Sequence, residues 1–445
     1  MRNRSIFLMF LFGLGSQLQI AASLSFSELF VLIAAPCWFS SEWPVMRRTG
    51  AHVFFIWALL VLFGGVMSYI TYGAPFYFAL RRFAVLVVIP CAIVVVHRIL
   101  RKNMPFVGWY LLGGALSGIL CTFVFQKSVE VTTYADGERG GRSAQDIMRG
   151  PVYWLHRISA FATLAYKGWY LKFPTVICVL LPLVMAAFGI TQSSSGRGPA
   201  IGYLCASLIM LIGGKKMSGM RRMSKHIYLM AIIGLCVIFA FHKGYGYMAR
   251  NGMLGEQTAK KYSGQTKRGS GMIDLLIGGR AESFVCFYAL KDSPLLGMGL
   301  APYDTKGYAR EFLDKYSAME DVVQYYNNQF ANSRKGIVEE LYFIPAHSQI
   351  GSFWLFYGIF GLFFWLYIIF VLVRYMKQDA FAIPQWYGWL AAAVPAVFWD
   401  MMFNPFAGRI GTPMFVVACL FARAVRLGRL RLPNDMIQEI QKHSL

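Results

Sequence analysis

Long apolar runs separated by short polar and basic stretches dominate this chain. Runs at 6–22, 26–40, 52–72, 78–97, 104–125 and 156–171 are followed by others at 174–190, 199–213, 226–243, 348–373, 383–402 and 411–425. Most approach the ~20 residues that an α-helix needs to cross a hydrocarbon core about 30 Å thick. Hydrocarbon offers the backbone no water to bond, so a spanning segment closes its own hydrogen bonds as a helix. The pattern predicts an all-α, polytopic integral membrane protein with about twelve transmembrane helices.

The polar positions orient it. Basic residues gather at Arg47 and Arg48, at 97–102, at 215–225, at 374–377 and at 423–431. With the N-terminus inside, every one of these clusters falls on one side of the membrane, which the excess of Lys and Arg in short loops marks as the cytoplasm. Twelve crossings return the C-terminus to the same side. Arg2 and Arg4 precede the first run, and the short stretch 23–27 leads straight into the second, so a retained first span is expected rather than a cleaved signal. Arg81 and Arg82 fall near the outer end of the fourth span, where headgroup anchoring and binding of a lipid phosphate are both open.

This topology exports a loop at 126–155, a turn at 193–198 and a segment at 244–345 that is about 100 residues long, far beyond a common connection. In that segment, 272–277 and 281–290 read as amphipathic helix, Pro294, Gly297 and Gly299 break it, and 308–327 reads as helix again. The chain divides into helices one to nine (1–243), an exported, partly helical loop domain between helices nine and ten (244–345), and helices ten to twelve with a tail (346–445). No internal repeat is visible, which argues against a transporter built from two matched halves.

Composition agrees: 57% of the 445 residues are hydrophobic and only 14% charged, which excludes an ordinary soluble domain. The net charge of +22 lies mostly in the topological clusters, so nucleic acid is not expected as a partner and membrane lipids are. Of the eight cysteines only Cys286 falls outside an apolar run, leaving no pair to staple an exported loop.

The chemistry-bearing residues lie on the outer side. Ser195 and Arg197 sit in a turn, 191–199, whose glycines and serines let backbone amides approach an anion; the plainer reading of Arg197 is snorkelling to the interface. Arg280 opens the helical stretch that runs to Lys291, Asp292 and Pro294. Its guanidinium suits bidentate grip of a diphosphate, and a surface pairing with Glu282 or Asp292 is the alternative. His347 ends the long loop and opens the tenth span, where an imidazole suits a general base or merely caps the helix. Asp400 lies late in the eleventh span and Arg409 follows it, as substrate contacts or as a structural ion pair. The aromatic set Phe353, Trp354, Tyr357 and Phe360 either faces a lipid chain or packs against other spans, with packing the default.

No phosphate-binding loop, His-Glu-x-x-His or paired Cys-x-x-Cys is present, and the short cytoplasmic loops leave no room for a nucleotide-sugar domain. The order of the remaining pieces resembles the O-antigen ligase and O-antigen polymerase superfamily: Ser194, Gly196, Arg197 and Gly198 in an outer turn, then Gly278, Gly279 and Arg280 with residues 291–299, then Ala346, His347 and Ser348. The most specific match is the spacing of His347, Ser348, Gly358 and Gly361, and the resemblance covers roughly residues 185–425. Some ligases carry a second histidine two residues before the first, where this chain has Pro345.

The resemblance implies a metal-independent, cofactor-free, inverting glycosyltransferase of the bacterial inner membrane, with its active site on the periplasmic side. The donor is a glycan on undecaprenyl diphosphate; the acceptor is lipid A core for a ligase or a second lipid-linked repeat unit for a polymerase. It implies that Arg197 and Arg280 bind the diphosphate and that His347 deprotonates the acceptor hydroxyl, with Ser195, Asp400 and Arg409 as further substrate contacts. A lipid or polysaccharide transporter is the rival from another class.

Overall fold

The structure is a computed structural model. It describes residues 19–21, 24–102, 107, 110–111, 244, 246–253, 259, 262–263, 281–316, 343–380, 382–403 and 409–430. The expected spans at 104–125 (bar a few residues), 156–171, 174–190, 199–213 and 226–243 lie outside the described residues, as do Ser195, Arg197 and Arg280. Helix makes up 80% of what is described, so the all-helical reading holds at that level. The exception is a two-stranded antiparallel pair, β1 (Gln19–Ala21) and β2 (Leu24–Ser25). The tail of the first expected span is thus extended rather than helical. The neighbouring Ser25 has the extended backbone (φ −83°, ψ 160°) that a helix N-cap requires.

From that cap α1 (Phe26–Thr49) begins with a full capping box. The Ser25 hydroxyl accepts from the Glu28 N–H at 3.3 Å, and the Glu28 carboxylate accepts from the Ser25 N–H at 2.7 Å. Gly50, at φ +87°, ends α1 and starts α2 (Ala51–Tyr72), reversing the chain in a single residue. α3 (Phe76–Lys102) follows after a short turn and is the central helix: Val88, Ile93, Val95 and Val96 are buried, and it packs against α1, α2 and α9 (Gly411–Arg426). Among the described residues four helices, Phe26–Thr49, Ala51–Tyr72, Phe78–Lys102 and Ile359–Asp379, are long and apolar enough to cross a membrane. Large apolar side chains such as Ile33, Phe63, Ile70 and Phe370 point out of the bundle along them.

Between the bundle's first and last helices comes a cap. α4 (Ala281–Ala289) runs into a turn of 3-10 helix (Leu290–Asp292), and α5 (Tyr308–Tyr316) is capped by Asp304, whose carboxylate accepts from the N–H groups of Tyr308 (2.7 Å) and Ala309 (2.8 Å). The cap closes on the chain's return: Tyr303 and Phe343 form a bridge with stacked rings 4.8 Å apart, and the Ile344 N–H bonds the Pro302 carbonyl at 2.9 Å.

The tenth expected span, 348–373, is not continuous. It is two helices, α6 (Gln349–Tyr357) and α7 (Ile359–Arg374), broken at Gly358 (φ +63°, ψ −152°). In an unbroken helix the Ile359 N–H would bond the Leu355 carbonyl. Here each finds a partner on the cap instead: Ile359 N–H donates to the Leu295 carbonyl (2.8 Å), and Met298 N–H donates to the Leu355 carbonyl (2.7 Å). The Trp354 indole N–H adds a bond to the Pro294 carbonyl at 2.6 Å. A hairpin of the cap therefore fills the gap in the span. A Cβ on Gly358 would lie 2.3 Å from the Leu295 oxygen, and one on Gly297 2.5 Å from the Leu355 oxygen, which is why both are glycine.

α8 (Pro384–Phe403) packs on α6 and α7, and α9 packs on α3 and α1; at the end of the bundle away from the cap a π-helical turn (Tyr375–Asp379) lies against α7 and α9. Glu42, fully buried, pairs with His97 Nδ1 (3.0 Å) and with Arg101 (Nε, 3.2 Å), while His97 Nε2 bonds Thr49 (3.0 Å) and its ring lies 4.9 Å from that of Phe421. Asp379 pairs with Arg426. These contacts gather Arg47, Arg48, Arg101, Lys102, Arg374 and Arg426 at one end. Replacing Glu42 by alanine leaves buried His97 and part-buried Arg101 without their common carboxylate. It is expected to destabilise the bundle by about 3–5 kcal/mol, read as a lower thermal midpoint in detergent micelles.

Candidate functional site

His347 stands at the opposite end, where the cap meets the bundle, immediately before α6. Its neighbour Ser348 is the helix N-cap and is fully buried: the hydroxyl accepts from the Gly351 N–H at 3.1 Å and donates to the Met401 carbonyl at 2.9 Å. Those two bonds tie the start of α6 to the late part of α8, so the backbone that carries the imidazole is fixed between two helices.

Glu282, in the first turn of α4, puts its carboxylate 3.6 Å from His347 Nε2, with both side chains about a third exposed. At that separation they do not form a tight direct hydrogen bond, and a protonated ring would be attracted by the carboxylate. A partly exposed imidazole with a carboxylate alongside is suited to accept a proton from a substrate. α4 is itself pressed onto α6. Cys286 is buried against Gly351, where a Cβ would meet its sulfur at 2.2 Å, and burial pushes the Cys286 thiol up to about 12, so it is packing rather than a nucleophile.

Asp400 is half-buried and directly precedes Met401, the residue that receives the Ser348 hydroxyl. Arg409, between α8 and α9, donates from Nη1 to both carboxylate oxygens of Glu28, at 3.3 and 3.4 Å, and so joins the last two helices to the capped start of α1. The His347, Asp400 and Arg409 segments therefore occupy one end of the bundle. Glu282 figured in the sequence only as a partner for Arg280, and Glu28 not at all. The capping-box spacing of Ser25 and Glu28 was readable, but nothing along the chain points to an arginine 381 residues away.

Arg82 does not reach outward to headgroups: it is 8% exposed, with its guanidinium carbon 3.4 Å above the Phe356 ring. The aromatic set of the tenth span packs, Phe353 stacking on Phe364 at 5.6 Å with Tyr357 at its edge. On the cap, Asp292 accepts from Lys306 and from the Tyr308 hydroxyl (2.5 Å); the Lys306 ammonium, then Tyr308, hold its carboxyl below the usual range, while burial, then Asp292, push Tyr308 up to about 12. A carboxyl held low in the fold contributes stability above its unfolded value, lost as pH falls through the folded one. Lys306→Ala is therefore expected to reduce, with Tyr308 still bonded to Asp292, the acid sensitivity of cap exchange below the usual carboxylate range, measured by hydrogen exchange across residues 300–316.

No family model matches the chain, and no curated protein matches it.

Proposed function

We propose that the protein is a membrane-embedded, inverting, metal-independent glycosyltransferase of the O-antigen ligase type, which moves a glycan from undecaprenyl diphosphate to an acceptor hydroxyl. The observation that carries this reading is the partly exposed imidazole of His347 beside the Glu282 carboxylate, at the end of the bundle away from the basic clusters. Clustered Lys and Arg belong on the cytoplasmic side, with both termini, so this end faces the periplasm. The same reading puts the chain in the bacterial inner membrane.

In the reaction, the acceptor oxygen bonds the anomeric carbon while that carbon's bond to the diphosphate breaks from the opposite face. The hydroxyl proton passes to His347, and undecaprenyl diphosphate leaves. Glu282 holds the imidazole in place and stabilises its charged form. Arg197 and Arg280 bind the diphosphate and offset its growing charge, each donor of this kind typically contributing about 3 kcal/mol. Arg280 directly precedes the first residue of α4, which carries Glu282. Ser195, Asp400 and Arg409 complete the substrate contacts.

The test is transfer by purified protein from undecaprenyl-diphosphate glycan in the presence of EDTA. Product on lipid A core is the result expected of a ligase, and growth of the lipid-linked glycan makes the protein a polymerase. Absence of product with either acceptor overturns the transferase reading and favours a transporter.

A further inference from the structure

The hairpin that fills the broken span lies well below the end of the bundle. α2 gives the depth scale. At its outer end, the Tyr72 hydroxyl bonds Ser293 Oγ at 2.8 Å, and a Cβ on Gly299 would meet Tyr72 Cβ at 3.1 Å, so both ends of the hairpin start level with Tyr72. Further in, a Cβ on Gly64 would lie 2.5 Å from the Tyr357 oxygen, and Phe63 lies against Phe360 with rings 5.8 Å apart, so the break at Gly358 is level with these residues. At 1.5 Å per residue, Gly64 lies about 12 Å short of the Tyr72 end, and α6 gives a similar depth, about 13 Å, from its own length.

The tip of the hairpin carries Leu295, 68% exposed, and Leu296, 43% exposed, while its polar backbone turns inward to Ile359, Leu355 and Trp354. Outward leucines, with the Pro294 and Leu295 carbonyls and the Met298 N–H bonded to α6 and α7, suit non-helical chain at membrane depth, where backbone groups need partners inside the protein. The leucines continue the apolar surface that α2 presents at the same level through Phe63.

We propose that residues 293–299 form a re-entrant hairpin that carries the cap into the outer part of the bilayer, with the hydrocarbon chains of lipids packed on Leu295 and Leu296. The proposal rests on the apolar spanning helices and not on the transferase reading, and it makes α6, with His347 at its head, a helix clamped on one side by lipid-anchored chain.

The test uses the full-length protein in phosphatidylcholine vesicles containing a phospholipid with a diazirine in mid-acyl chain. After illumination and tryptic digestion, adducts are mapped by mass spectrometry. The peptide 292–306 is expected to carry adducts on Leu295 or Leu296, at least tenfold above the cap peptide 311–315. Adducts on α2 with none on 292–306 overturn the proposal, as does equal labelling of 292–306 and 311–315.

Discussion

Replacing His347 by alanine is expected to lower glycan transfer at least a hundredfold while leaving the thermal midpoint of the protein unchanged. A sugar hydroxyl is a poor nucleophile with its proton in place, and a positioned base typically contributes about 10²–10⁴-fold. The imidazole is about a third exposed and its ion-pair contact among the described residues is to a side chain, so truncation removes little packing, and the backbone remains held by Ser348. Glu282→Gln separates positioning from catalysis: the amide keeps the size and loses the charge that steadies the protonated ring. A smaller loss, about tenfold, is expected in kcat with KM retained, and Glu282→Asp should recover part of it. Full activity of His347→Ala would remove the base from the mechanism, and full activity of Glu282→Gln would reduce the pair to a surface contact.

How far this site was legible in the sequence differs residue by residue. The position of His347 was legible, because hydropathy marks the junction of the long loop and the apolar run where it stands, just before α6. Glu282 was legible as an acid but not as this acid, since its approach to His347 depends on how α4 lies on α6. The helices were legible where hydropathy alone decides them, yet their ends were not. α1 continues past residue 40 through Ser40, Ser41 and Glu42, where the polar residues end the apolar run, because Glu42 is bonded by His97 and Arg101 from α3. The break in the tenth span was hidden for the converse reason. The run stays apolar and aromatic through Gly358, and the interruption comes from a hairpin some 60 residues earlier in the chain.

That break carries the second large effect. Gly358→Ala is expected to destabilise the protein by about 2–6 kcal/mol, combining a backbone conformation nearly reserved to glycine with a clash in a filled site. The added Cβ would sit 2.3 Å from the Leu295 oxygen and 2.8 Å from the Leu296 carbonyl carbon, both backbone atoms that cannot swing aside. Gly50 supplies the control. It too has a positive φ, +87°, but nothing lies within 4 Å of where its Cβ would be, so Gly50→Ala meets only the conformational cost, about 1 kcal/mol. Thermal unfolding in micelles, with trypsin cleavage at Lys291 and Lys306 as a local readout, separates the two. Both lysines are already exposed, and Gly358→Ala should speed cleavage at them, by freeing the chain around them, and lower the midpoint far more than Gly50→Ala. Equal effects would mean that the hairpin is not seated in the span. Two glycines of the motif that suggests a glycan transferase, Gly358 and Gly361, would then need another explanation than the one the packing gives: each admits a backbone oxygen, Leu295's or Phe353's, to within 2.3 or 2.2 Å of where a side chain would begin.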